Sequence, residues 1–233
     1  MLADGPLAYW RMGRVEDGTI IPDEKAAISL SLSGGPDFQT GAPGIFDDDP
    51  AIRFGGQGGY AFATTSAPLA FTGAAPFTLE CWAVRELDVA GDAGSYFQQL
   101  LSFVDGFSTP GPSTLNGYLL YLRKSDPAAT TFSHGAGEAG AIEGSGRLVP
   151  PGEWAHYAVV FDGTNATLFI DAQRQGSFVA KGELAARRSS FTVARAANEN
   201  ARFFRGRLDE IAVYGKALAP ETLARHVALA RGP

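Results

Sequence analysis

Cysteine is nearly absent: Cys81 is the only one in 233 residues, so no disulfide can close within the chain. It lies in Phe77-Thr-Leu-Glu-Cys-Trp82, a strand-like run with no histidine beside it, which assigns the thiol to packing rather than nucleophilic chemistry. Histidine is scarce too, with His134, His156 and His226 alone. No Gly-x-Ser-x-Gly elbow, His-Glu-x-x-His pair or phosphate-cradling loop occurs, so triad hydrolysis, histidine–cysteine metal binding and nucleotide binding find no motif. Long apolar runs are missing as well. Ala158-Val-Val-Phe161 is typical, far short of the roughly 20 residues of a membrane span. The opening Met1-Leu-Ala-Asp-Gly-Pro has no charged-then-apolar leader, so neither membrane insertion nor leader-directed secretion is expected.

Net charge is −6, and it is uneven. Residues 1–116 carry five basic and fourteen acidic side chains, a net of −9, whereas residues 117–233 carry fourteen and eleven, a net of +3. The acidic total and the lack of a basic-aromatic motif argue against nucleic-acid binding. In the basic half, arginines gather at Arg187-Arg188 and at Arg195, Arg202, Arg205 and Arg207. They can either bind anionic sugar or phosphate groups or simply balance the acidic half, and the second reading is the stronger.

Glycine (29) and proline (14) are plentiful but scattered in small clusters, which suits many short strands with tight turns. Alternating runs predict strands at Leu7–Met12, Ala51–Phe54, Tyr60–Ala63, Phe77–Val84, Gln99–Val104, Tyr118–Arg123, Thr130–Ser133, Trp154–Phe161, Ala166–Asp171, Phe178–Ala180, Phe191–Ala194 and Arg207–Tyr214. His134–Pro151 is Gly-rich and polar and reads as loop, which leaves His134 the one free histidine. His156 falls within a strand, where it packs or bonds to backbone. A single helix follows Pro220, with Leu223, Val227 and Ala230 on its apolar face and His226 near the end favoured by the dipole. The expectation is an all-β, two-sheet antiparallel sandwich with a short C-terminal helix, one domain over residues 1–233.

Four landmarks stand in a particular order. They are Leu7-Ala-Tyr-Trp-Arg-Met, Ala51-Ile-Arg-Phe-Gly-Gly with a later Gly-Tyr, Phe77-Thr-Leu-Glu-Cys-Trp, and the pair Trp154-Ala-His-Tyr-Ala-Val-Val-Phe-Asp-Gly and Phe204-Arg-Gly-Arg-Leu-Asp-Glu-Ile-Ala-Val-Tyr. Together they resemble laminin-G-like jelly rolls of the concanavalin A-like lectin/glucanase superfamily, over nearly the whole chain. The resemblance implies surface and glycan recognition and, in many relatives, one structural Ca²⁺ between the loop after the first strand and the acids of the last. Carried across, Asp23 matches the loop aspartate and Asp209 the strand acid. The chain departs from the pattern at Gly13-Arg14, where an acid is common, and Arg14 would compete for the carboxylates. Asp47-Asp-Asp49 reads as a solvated loop.

Glucanases of the superfamily set their carboxylates on one strand as Glu-x-Asp-x-x-Glu, since alternate residues share a face. No such pattern occurs; Glu86-Leu-Asp88 starts one without completing it, and the adjacent Asp209 and Glu210 should face opposite ways. Catalysis is not expected. The expectation is a non-catalytic recognition module, carbohydrate-binding or adhesive and acting at one edge or on the concave face, with Tyr96, Phe97 and Phe107 as candidate stacking residues. Its partner would be a glycan or cell-surface polysaccharide. The alternative is a structural phage head or tail decoration or fibre protein, partnered by virion proteins. A missing leader fits assembly in the cytoplasm and release by lysis, with the product in a virion or outside the cell, and homo-oligomerisation is an open expectation.

Overall fold

A computed structural model describes residues 1–86, 97–105, 116–123, 129–136, 141–180, 184, 190–197 and 200–232. Its strands are β1 (Ala8–Trp10), β2 (Ile20–Ile21), β3 (Leu30–Ser33), β4 (Phe38–Phe46), β5 (Asp49–Gly55), β6 (Tyr60–Ala63), β7 (Phe77–Arg85) and β8 (Phe97–Asp105). They continue with β9 (Asn116–Arg123), β10 (Ala129–Ala136), β11 (Ala141–Gly146), β12 (Ala155–Phe161), β13 (Asn165–Ile170), β14 (Gln173–Val179), β15 (Thr192–Val193) and β16 (Arg205–Tyr214). A helix, α1 (Pro220–Arg231), closes the chain. One antiparallel sheet runs β14-β13-β12-β7-β16-β5-β4, with β1 also paired to β16. The other runs β11-β10-β9-β8-β15-β6-β3-β2. No helix among the described residues is long and apolar enough to cross a membrane.

Period-two patterning builds the core between the sheets. Leu79, Cys81, Tyr157, Val159 and Val213 from the first sheet meet Leu101, Phe103, Tyr118, Leu120 and Phe132 from the second. Phe77 and Tyr118 touch across the sandwich with ring centroids 5.1 Å apart, and Trp10 stacks on Phe191 at 5.7 Å. Each fully buried aromatic of this kind stabilises the fold by about 1.5–3 kcal/mol relative to exposure. Cys81 lies within this core, where burial pushes its thiol pKa up and keeps it protonated.

The strand β12 is buried along its whole length because its other face lies under α1, against Ala158 and Val160. The helix does not use the face expected of it. Leu223 and His226 are its buried residues, and Val227 and Ala230 are only half covered. An imidazole can take an inward position here because carboxylates meet it there, as described below.

Four strands are absent from the sequence reading. The edge strand β4 contains Gly41, Pro43 and Gly44 and slips register against β5 twice, so no clean alternation survives. β2 and β3 are short, and β11 is a Gly-containing edge strand. His134 is therefore not in a loop. It sits in β10 opposite Tyr118, fully buried, with its ring 5.0 Å from that of Phe161. Neither ring nitrogen has a partner, and burial pushes its pKa down to about 4, so it is neutral at neutral pH.

Candidate functional site

Strict alternation would separate the carboxylates of Asp209 and Glu210, but β16 does not alternate there. Its register against β7 shifts between Asp209 and Ala212, and Glu210 takes a left-handed φ of 49°. This bulge turns both side chains to one place, where they join Asp49; ligating oxygens of all three lie within 4.8 Å of one another. Thus Asp49 is not part of a solvated acidic loop, although Asp47 and Asp48 are exposed. Arg14 does not compete for these groups either. It pairs with Glu16 at the surface, and Arg11 serves instead, its Nε 2.9 Å from Asp49 Oδ2 and 3.5 Å from Glu210 Oε1.

The cluster is electrostatically under-compensated. Asp209 is fully buried and its pKa is pushed up to about 8, first by burial and further by the charges of Glu210 and Asp49, against two backbone N–H donors. Those donors are Ile45 N–H to Oδ2 at 3.0 Å and Glu210 N–H to Oδ1 at 2.9 Å. Burial likewise lifts Glu210 to about 7. Tyr9 donates its hydroxyl to Glu210, yet the buried Oε1 accepts no hydrogen bond. Backbone closes tightly around the group. A Cβ at Gly13 would stand 2.2 Å from Asp49 Oδ1, and one at Gly44 would stand 2.0 Å from the Asp49 carbonyl and 2.7 Å from Asp209 Oδ2. Beside the cluster opens a cleft of about 160 Å³, walled by Tyr9, Arg11, Phe46, Trp82 and Glu210.

Asp23 is elsewhere occupied. Its Oδ1 accepts the N–H groups of Tyr9 (2.8 Å) and Lys25 (3.0 Å), and its Oδ2 those of Ala27 (3.0 Å) and Ile28 (3.1 Å). It ties the loop after β1 to that strand and is not a member of the three-carboxylate cluster. The structure thus brings Asp209 together with Asp49 and Glu210, not with Asp23.

A second polar group lies beneath α1. Glu80, fully buried on β7, accepts hydrogen bonds from His156 Nε2 (2.9 Å), His226 Nδ1 (3.0 Å) and the Tyr214 hydroxyl. His226 Nε2 lies 2.9 Å from Asp4, which Arg225 also holds. Burial alone would raise the Glu80 pKa, but the two histidines outweigh it and bring it down to about 2. Sequence reading had His156 merely packing and His226 answering the helix dipole; instead both converge on one carboxylate, and with Asp4 they fasten the N-terminal turn and α1 to the sheet. No local pattern marks that meeting, because Glu80, His156 and His226 are far apart in the chain.

The outer face of the second sheet is polar and aromatic. Gln99, Tyr121 and Thr131 are consecutive cross-strand neighbours and so share it. Tyr121 pairs with Ser133 at 3.3 Å, and Thr131 with Ser145 at 3.3 Å. The side-chain amide of Gln99 is fully buried, and neither its nitrogen nor its oxygen has a hydrogen-bond partner. Phe97 is half buried here, edge-on to Tyr121 at 5.5 Å and with the Arg202 guanidinium 4.7 Å from its ring centre. Tyr60 and Phe62 extend the face, since Ala61 and Ala63 between and beyond them point into the core. Tyr96 and Phe107, the other two expected stacking residues, lie outside the described residues, as do Arg187 and Arg188. Arg195 and Arg207 stack on Tyr60 and Trp154, at 3.7 and 5.3 Å.

Two antiparallel sheets around one apolar layer, with a helix on the outer face of one, define a jelly-roll sandwich. A laminin G family model, described as the Concanavalin A-like lectin/glucanases superfamily, matches residues 54–224, and the chain belongs to that family. No curated protein matches it in sequence. Among solved structures it is similar to the binding domain of Paraclostridial Mosquitocidal Protein 1, at 17% identity and a TM-score of 0.72, covering 98% of this chain and 53% of that one. It is also similar to the binding domain of Botulinum Neurotoxin DC in complex with SialylT, at 9% identity and a TM-score of 0.67, covering 97% and 51%. A third similar structure is domain 4 of AbnA, an extracellular arabinanase of Geobacillus stearothermophilus, in complex with arabinotriose; identity is 14%, TM-score 0.61, and coverage 94% and 97%. The chain spans about half the length of the toxin domains. At these identities the likeness is one of fold.

Proposed function

We propose that this chain is a non-catalytic recognition module that binds carbohydrate on the outer face of its second sheet and acts outside the cell that makes it. The observation that carries the reading is the Gln99 amide, buried among Tyr121 and its hydroxyl-bearing neighbours with both polar atoms unpaired. An unpaired buried amide costs about 1–3 kcal/mol, and a sugar hydroxyl, donor and acceptor at once, relieves it. Half-buried Phe97 and Phe62 on the same face offer apolar surface to the C–H face of a pyranose. That two similar structures are complexes with SialylT and with arabinotriose adds support for a sugar ligand.

For calcium, the residues present fit. Asp49, Asp209 and Glu210 offer oxygens close enough to share one ion, and Glu210 Oε1 lacks a hydrogen bond. In this proposal Ca²⁺ is held by those three with Asp209 as the shared expectation, while Asp23 stays with its backbone donors. The ion would fix the bulge and the loops at Gly13 and Gly44.

A broad glycan array run with the intact chain, with and without Ca²⁺, tests the reading; binding above background supports it, and silence in both conditions removes it. The competing role as a virion decoration or fibre protein requires self-association. A stable trimer or larger ring by light scattering, with a silent array, would favour that role.

A further inference from the structure

Arg195 differs from the ion-paired arginines of the chain. It follows β15, which lies between β6 and β8, and its side chain lies over Tyr60 of β6, on the outer face, while the Gln99 N–H of β8 donates to the Arg202 carbonyl at 2.9 Å. Val193 is opposite Ala61 and Leu101, and the N–H of Ala194 donates to the Leu100 carbonyl at 3.0 Å. Its guanidinium lies 3.7 Å from the centre of the Tyr60 ring. It is only half buried, yet its Nε–H is enclosed and donates to no acceptor, and among the described residues it forms no ion pair. Arg11, Arg14, Arg53, Arg147, Arg225 and Arg231 each have a carboxylate.

A guanidinium whose carbon sits 3.7 Å over an aromatic ring is held there by cation–π attraction, and its terminal N–H groups remain donors. Those terminal groups are parallel donors, the arrangement that meets a planar carboxylate with two hydrogen bonds. On the same face are an unpaired amide and the rings of Phe62 and Phe97, which suit the hydroxyls and the C–H face of a sugar. We propose that the ligand of this face is an acidic sugar, a pyranose bearing a carboxylate, with Arg195 as the residue that selects the acid. The inference rests on the carbohydrate reading above and narrows it. It also gives the arginine-rich half of this acidic chain a local task that charge balance alone does not explain: a like-charged ligand is drawn to one cation held out from it.

The test is titration calorimetry with the intact chain at low and at about 0.5 M salt. The ligands are oligogalacturonate and sialyllactose, each against a neutral counterpart, methyl-esterified oligogalacturonate and lactose. At least one acidic ligand should bind at least about tenfold more tightly than its neutral partner, the loss expected for one charge-assisted hydrogen bond, and salt should shrink the difference. Which acidic ligand binds distinguishes a uronate from a sialic acid. Arg195→Gln should bring the affinity for the acidic ligand down to that for its neutral partner, and Arg195→Lys should restore only part of the preference. Thermal melts of both variants check that they are folded. Equal binding of acidic and neutral forms, or an unchanged preference in folded Arg195→Gln, overturns the assignment and leaves carbohydrate binding standing. No binding of any glycan here or on the array overturns both.

Discussion

Asp209 and Glu210 are neighbours in the chain and neighbours in space, because Glu210 sits at a φ of 49° in a bulge that abolishes the usual alternation. A non-glycine residue in that region costs on the order of 1–2 kcal/mol, and here the cost is added to that of gathering three carboxylates around a single arginine. A divalent cation held there would offset the charge and leave the bulge in place.

Adding Ca²⁺ should therefore stabilise the wild-type chain, by about 2.7 kcal/mol at a hundredfold excess over the dissociation constant. Glu210→Gln should abolish the response. Differential scanning calorimetry with Ca²⁺ and then with chelator measures it. A melting temperature indifferent to both would falsify the calcium assignment.

The loops that reach the cluster should be intolerant of even one carbon. Gly44→Ala places a methyl 2.0 Å from a backbone oxygen that cannot step aside, and a loss of about 1–3 kcal/mol is expected from such overpacking. Gly58, whose Cβ position meets nothing within 4 Å, supplies the control; its alanine variant should stay within about 0.5 kcal/mol of wild type in urea titration. Equal losses at both glycines would mean that contact with the cluster is not the cause.

Sequence patterning captured the sandwich because its central strands alternate cleanly. Phe77–Arg85 and Ala155–Phe161 occupy nearly the positions that their apolar periods predict. It failed at edges, where Pro43 and the glycines of β4 interrupt the period while main-chain pairing to β5 persists through two register slips. Site residues were harder still. Asp209 was legible only through family order, and Asp49 and Glu210 were misread, since a bulge is a property of the ladder and leaves no mark in alternation. Gln99 looked like an ordinary strand residue. Its significance comes from lacking a partner, which no linear pattern displays.

Glu80 is the polar linchpin of the helix side. Glu80→Ala leaves His156, His226 and the Tyr214 hydroxyl facing a buried void, and should cost about 3–5 kcal/mol, the usual result of removing one partner from a buried charged group. Chemical denaturation reads this directly. Exchange protection of α1 should fall with it, whereas protection of β8 and β9 should not fall beyond the global change. A cost below about 1 kcal/mol would show that the histidines find other partners.

The same network sets a pH dependence whose sign is fixed by His226. Its burial opposes protonation, but Glu80 and Asp4 more than compensate, so the folded pKa lies above the ordinary 6.5. A group raised on folding contributes its full stabilisation below the unfolded pKa and loses it as pH rises through the folded one. His134 acts in the opposite sense. Held down to about 4, it favours the folded state above 6.5 and withdraws that support as pH falls towards 4. Stability should accordingly decline on both sides, and the alkaline decline above about 6.5 should be shared by His226 with Asp209 and Glu210, whose buried carboxyls are held up to about 8 and about 7. His226→Asn should lower the melting temperature at pH 6 and make the decline between pH 6.5 and 9 shallower, leaving the part that Asp209 and Glu210 contribute and the acid limb in place. Parallel wild-type and variant curves over that alkaline range would show that the His226 proton is not what holds the helix to the sheet.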